Sequence, residues 1–291
     1  MTDGTLNRRE LLASSLVLGA ACTMVNTTAA ETNSKRLRII DTNVSLFHWP
    51  FRRLPLDDTE TLVAKLRSLG ITEAWASSFE GIFHRDIRSV NTRLTEECAR
   101  FPELQPIGVI NPNLPGWPDD FRRCCEQHQM AGVRLFPNYH GYTLADDVFR
   151  EFLAMAAEAG RFVQIAQTLE DRRTQSSLVH VEDVDLSPLP QIMQSVPRAR
   201  VQILNLRPRA NVVKMLQLID RITFDIARVD GTDGLAELLR LVPERIAFGT
   251  HAPFLIPEAA LIRLSENPLT DDQIFSIANR AAANLTGAVR R

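Results

Sequence analysis

Between Leu37 and Ala288 the chain repeats one unit eight times, a short apolar run followed by a longer amphipathic segment. Few folds accept that alternation. Apolar runs without an apolar–polar rhythm suit strands buried on both faces, and segments with apolar residues three and four apart suit the helices that cover them. The expected strands are Leu37–Val44, Ile71–Ser77, Leu104–Ile110, Gly132–Phe136, Phe162–Ala166, Val201–Leu206, Ile222–Ile226 and Arg245–Gly249. Helices are expected at Asp58–Leu69, Ile87–Arg100, Asp146–Ala159, Ala210–Ile219, Leu235–Leu241, Pro257–Ser265 and Thr270–Ala288, with another opened by Pro118-Asp119-Asp120. Asp57 and Asp58 can cap the first helix, and Gly70 and Gly160 can stop two of them. A doubly wound open sheet alternates in the same way, but it more often carries a glycine-rich turn after its first strand, and none stands there. The expected fold class is therefore α/β, a single-domain (β/α)8 TIM barrel over residues 31–291.

The first thirty residues differ in kind. Arg8-Arg9 precede a modest apolar run, Leu11 to Val25, and Thr28-Ala29-Ala30 offer a small-residue cleavage site before Glu31. That order reads as a twin-arginine-type signal peptide, residues 1–30, so the protein is expected to be exported to the periplasm. The run is too short and too rich in Ser, Thr and Gly for a membrane span. With 33 basic against 35 acidic residues there is no excess positive charge for a nucleic-acid partner. The expected partner is a small-molecule substrate, and a homo-oligomer is left open. After the expected cleavage three of the four cysteines remain, Cys98, Cys124 and Cys125, odd in number and without a C-x-x-C spacing, which speaks against a disulfide framework and a thiolate zinc site.

In such barrels the reacting groups come from the strand C-terminal ends and the loops after them. Those ends supply Asn43, Ser45, Ser77, Arg134, His140, Asn205, Asp225 and His251, and the long loop after the fifth strand carries Glu170-Asp171-Arg172-Arg173. A strand-end histidine suits general acid–base work, so His251 is the candidate for activating water. Asp225 could orient it, or brace Arg228. Asn43 and Asn205 suit a substrate carbonyl or an attacking water. Arg134 could hold a carboxylate or phosphate, or pair with Glu170 or Asp225. His140, Glu170 and Arg172 complete the candidate substrate-binding set.

Four strand ends resemble the amidohydrolase superfamily, in its amidohydrolase-related branch. Ile40-Asp41-Thr42-Asn43-Val44-Ser45 is similar to that branch's opening Ile-Asp-x-His-x-His. Gly132-Val133-Arg134-Leu135-Phe136-Pro137 is similar to its Gly-x-Arg/Lys-Leu-His-Pro, and Phe248-Gly249-Thr250-His251-Ala252-Pro253 to its final Phe-Gly-Ser-Asp-x-Pro. Val201–Leu206 fits the strand that normally ends in histidine. The resemblance implies a hydrolase or lyase acting on a small anionic carboxylated substrate. It also implies a divalent ion, zinc or manganese, on histidines and an aspartate. At those positions this chain has Asn43, Ser45, Ala166 or Gln167, Asn205 and His251. The usual ligands are absent, so no cofactor is expected, with a rebuilt site of His251, His140 and Asp225 left open. Some branches, such as pyrone-dicarboxylate lactonases, are metal-independent. The alternative expectation is a barrel without catalysis, serving as a periplasmic binding or scaffold protein.

Overall fold

The computed structural model describes residues 37–231 and 233–287; the expected export segment, 1–30, lies outside them. Nine strands follow in order: β1 Ile39–Leu46, β2 Ile71–Ser78, β3 Leu104–Pro106, β4 Gly108–Val109, β5 Gly132–Leu135, β6 Phe162–Ala166, β7 Val201–Leu204, β8 Ile222–Asp225 and β9 Ile246–Ala247. Neighbours pair in parallel, β1 to β3 in one run and β4 to β9 in another. β3 and β4 are two halves of one stave. Pro106 has no N–H to continue the ladder, and the chain resumes with Ile107 N donating to Ala76 O at 2.8 Å. Closure comes from the turn after β9: Thr42 N reaches Phe248 O, Ser45 N reaches Ala252 O and His251 N reaches Asn43 O, each at 2.9 Å. The eight staves thus form the expected TIM barrel.

Helices cover it where the apolar periodicity places them, and one more, Leu189–Ser195, stands before β7 where none was expected. Asp58 caps Thr59–Ser68 by accepting Thr61 N at 2.9 Å, whereas Asp57 accepts Leu54 N and pairs with Arg53 instead. The expected last helix is interrupted: Asp271–Phe275 passes into a π turn at Ser276–Arg280 and then into Ala281–Thr286. The turn lets the carbonyl of Ile277 accept Phe248 N at 2.8 Å, which ties the end of the chain to the closing stave.

The barrel interior is layered. At the N-terminal end an apolar plug holds Ile40, Trp75, Ile107 and Phe162, sealed by Ala282 and Leu285, with Trp75 stacked on Phe162 at 4.8 Å. Above it Arg134, Gln164, Gln202 and Thr223 occupy matched positions on four adjacent strands. Arg134 Nε donates to Gln164 Oε1 at 2.9 Å, Gln164 Nε2 to Gln202 Oε1 at 2.8 Å, and Gln202 Nε2 to Thr42 Oγ1 at 2.7 Å. This polar rung spans the barrel and carries the next layer, where β-strands end.

Candidate active site

β1 shapes that layer by a bulge. Asp41 is level with Ala74 and Val44 with Ala76, so three steps on β1 oppose two on β2. The extra residue re-aims the strand tip. Asn43 Nδ2 then donates to Asn205 Oδ1 at 2.8 Å and to Asp225 Oδ2 at 2.6 Å. Asp225 Oδ1 accepts Asn205 N at 3.0 Å and Ala227 N at 3.3 Å, and Asn205 Nδ2 donates to Thr168 O at 2.7 Å. Asp41 accepts Thr250 N, Thr250 Oγ1 and Asn43 N, clamping the β1 tip to the closing turn. Asn205 and His251 both sit at left-handed φ, 61° and 59°, a conformation kept where the surroundings impose it.

Arg134 lies inside the barrel, 1 % exposed. Its Nη1 donates to Val44 O at 3.1 Å and Ser45 Oγ at 3.2 Å, and its Nη2 has no partner among the described residues. It is ion-paired with neither candidate: Glu170 pairs with Arg52, and Asp225 is held by the asparagines and backbone. His251 Nε2 lies 2.8 Å from Leu169 O, so that nitrogen carries the proton. Among the described residues Asp225 accepts from Asn43, Asn205 and Ala227 rather than from His251, and Arg228 donates to Leu169 O. His140 is buried with Nε2 3.1 Å from Gly81 O and Nδ1 unpartnered among the described residues. Arg172 is 62 % exposed on its side chain and pairs with Glu182, whereas Glu170 in the same loop is buried.

Burial dominates the electrostatics. It pushes Asp41 up to about 7, against the hydrogen bonds from Thr250 and Asn43, and Asp225 up to about 6, against those from Asn43 and Asn205. It lowers the Arg134 guanidinium to about 9, with Asp225 and Asp41 pulling the other way. His251 is lowered to about 3 by burial and then by Arg228, and His140 to about 4 by burial. Glu170 is raised by burial, against its pairing with Arg52. At neutral pH both histidines are neutral.

Over this layer lies an aromatic cap that periodicity did not announce. Trp49, Phe79, Phe136, Leu169 and Ile82 are buried together, with Phe51, Tyr139 and Phe254 packed against them. Phe254 stacks on His251 at 5.1 Å, and Arg52 lies over its ring at 5.5 Å while paired with Glu170. The sequence reading missed Arg52, Gln164, Gln202 and Asp41 as parts of the site. A polar residue inside an apolar strand run was the available signal for the two glutamines. A cleft of about 400 Å3 exists elsewhere, lined by Glu73, Trp75, Gln105, His128 and Met130. It opens at the N-terminal end, the end of a barrel that serves stability rather than chemistry.

Among the described residues no three His, Cys, Asp or Glu side chains are grouped so as to hold a metal ion, the set His251, His140 and Asp225 included. Solved structures share the fold at low identity. 5-Carboxyvanillate decarboxylase from Sphingomonas paucimobilis is 14% identical, with a TM-score of 0.69 over 86% of this chain and 99% of that one. 2,6-Dihydroxybenzoate decarboxylase from Rhizobium is 12% identical, with a TM-score of 0.65 over 86% and 98%. A dihydroxybenzoic acid decarboxylase from a Polaromonas species, with bound manganese and the inhibitor 2-nitroresorcinol, is 12% identical, with a TM-score of 0.67 over 87% and 98%. None of the curated proteins compared matches in sequence. The sequence profile of the amidohydrolase family matches residues 47–282, and this chain belongs to that family.

Proposed function

We propose that the protein is a hydrolase or lyase acting on a small carboxylated anion at the C-terminal end of the barrel, with no divalent ion at the place where the family generally holds one. The unpartnered arm of Arg134 carries this reading. A buried donor left unpaired costs about 1–3 kcal/mol, more when charged, and a substrate carboxylate would satisfy it. Ser77 Oγ is buried and, among the described residues, unpartnered too, and Ser77 is level with Ser45, which already accepts from Arg134. The relatives named above act on aromatic carboxylates, which supports the substrate class.

The donor set does not fit a divalent ion. Asn43 presents amide N–H groups to Asp225 and Asn205, and Ser45 accepts from a guanidinium. His251 Nε2 is committed to Leu169 O. Zinc and manganese need several lone pairs converging on one point, preferably anionic, and a cation in the same interior opposes them. In the reaction Asp225, near neutral in affinity for protons, would take or give the proton. His251 keeps a lone pair on Nδ1 and would accept a hydrogen bond, since a group at about 3 is a weak base.

The test is turnover of substituted benzoates and carboxylated lactones by chelator-treated protein. Activity that survives chelation and falls about 100-fold or more in Arg134→Lys is the expected result. Equal activity in Arg134→Lys, or activity lost on chelation and restored by manganese, would overturn it. The aromatic cap favours a second reading, a barrel that binds without turnover as a periplasmic binding or scaffold protein; binding of these anions with no product formed would select it. Export by residues 1–30 belongs to the same proposal.

A further inference from the structure

Phe254 is a ring held in a slot. The His251 imidazole stacks on it with 30° between the planes, and the Arg52 guanidinium lies over it. Trp49 and Phe79 meet it edge-on, at 5.1 and 5.0 Å and at 70° and 71°. Every wall therefore suits a flat π system: an aromatic face, a cation over a face, and two edges. Phe254 itself is only half-buried, unlike Trp49 and Phe79, and stands on the turn that leaves the barrel. Its ring therefore keeps one side toward solvent, on a turn and not on a strand.

We infer that Phe254 fills in cis the ring site of a planar aromatic ligand, and that the ligand enters when Phe254 swings out, its ring coming to lie against His251 under Arg52. The inference rests on the preceding reading only for the ligand's carboxylate; the ring site stands on the aromatic geometry alone. Arg52 is then a selectivity residue, favouring flat rings over puckered ones of equal charge. Its partner Glu170, which comes from the loop after β6, holds it in place. A binding site occupied by its own side chain also weakens apparent affinity by the fraction of time it is filled.

Calorimetric titration of the full chain with three probes tests this: benzoate, cyclohexanecarboxylate and benzyl alcohol. Phe254→Ala is expected to bind benzoate about tenfold more tightly than wild type does. It should prefer benzoate to cyclohexanecarboxylate, a preference that Arg52→Gln in the same background reduces. Phe254→Leu, which keeps most of the bulk, should fall between, and it serves in place of the alanine variant if that one does not fold. Benzyl alcohol reads the ring site without a carboxylate, so its binding isolates this inference. Loss of the advantage of benzoate over benzyl alcohol in Arg134→Lys reads the carboxylate reading separately. Equal affinity of wild type and both Phe254 variants for benzoate and benzyl alcohol would overturn the inference. So would equal binding of benzoate and cyclohexanecarboxylate.

Discussion

Asp41 and Asp225 hold protons in the folded chain that the unfolded chain has released, up to about 7 and about 6 against an ordinary 3.8. Through that window the native state binds more protons, so their contribution to stability falls as pH rises. His251 and His140 do the opposite. The unfolded chain protonates them below 6.5, while the folded chain keeps them neutral down to about 3 and about 4, so their contribution rises with pH over that range. The two effects offset, and wild-type stability is expected to vary little between about pH 4 and 6.5. Asp41→Asn removes a falling contribution, so its urea midpoint should rise with pH across the same range. His251→Asn, whose asparagine tolerates the left-handed φ, should show a midpoint that falls. Parallel profiles for the three proteins would contradict these assignments.

At the level of elements, β5 depends on the absence of a side chain at Gly132. A Cβ there would meet the Phe162 ring at 2.5 Å, and that ring is fixed by its stack on Trp75. Gly132→Ala should lose about 1–3 kcal/mol in urea unfolding, the cost of overpacking. Gly70→Ala meets nothing in space, but its φ of +76° should cost about 1–2 kcal/mol.

The elements themselves were legible in the sequence because burial on both faces writes an apolar run. Phe162–Ala166 runs between the same residues in both, and most other strands differ by a residue or two at their ends. The bulge at Asp41–Val44 was not legible, since a one-residue slip leaves the composition of the run unchanged. Nor was the π turn, where the carbonyl of Ile277 accepts from Phe248 N, a partner after β9 and distant in the sequence. The strand-end rule gathered Asn43, Asn205, Asp225, Arg134 and His251 into one place, but which of them touch depended on the bulge and the closing turn. That Arg172 faces Glu182 while Glu170 turns inward was not legible either, since a loop's charged head has no periodicity to say which way it faces. Arg52 lay unnoticed among aromatics because its role comes from Phe254, about 200 residues later in the chain.

For the whole molecule, export and metal use are the two properties to measure. A reporter fused to residues 1–32 should be exported, and changing Arg8 and Arg9 to lysine should stop it; undiminished export by the lysine variant would remove the twin-arginine assignment. In the proposed reading Arg134 and a hydrogen-bonded Asn43–Asn205–Asp225 centre do the work of this amidohydrolase-family barrel in place of an ion. The most direct test is elemental analysis of protein incubated with zinc and with manganese, then dialysed. Wild type is expected to hold no stoichiometric ion. A stoichiometric ion that Asp225→Asn abolishes would contradict it.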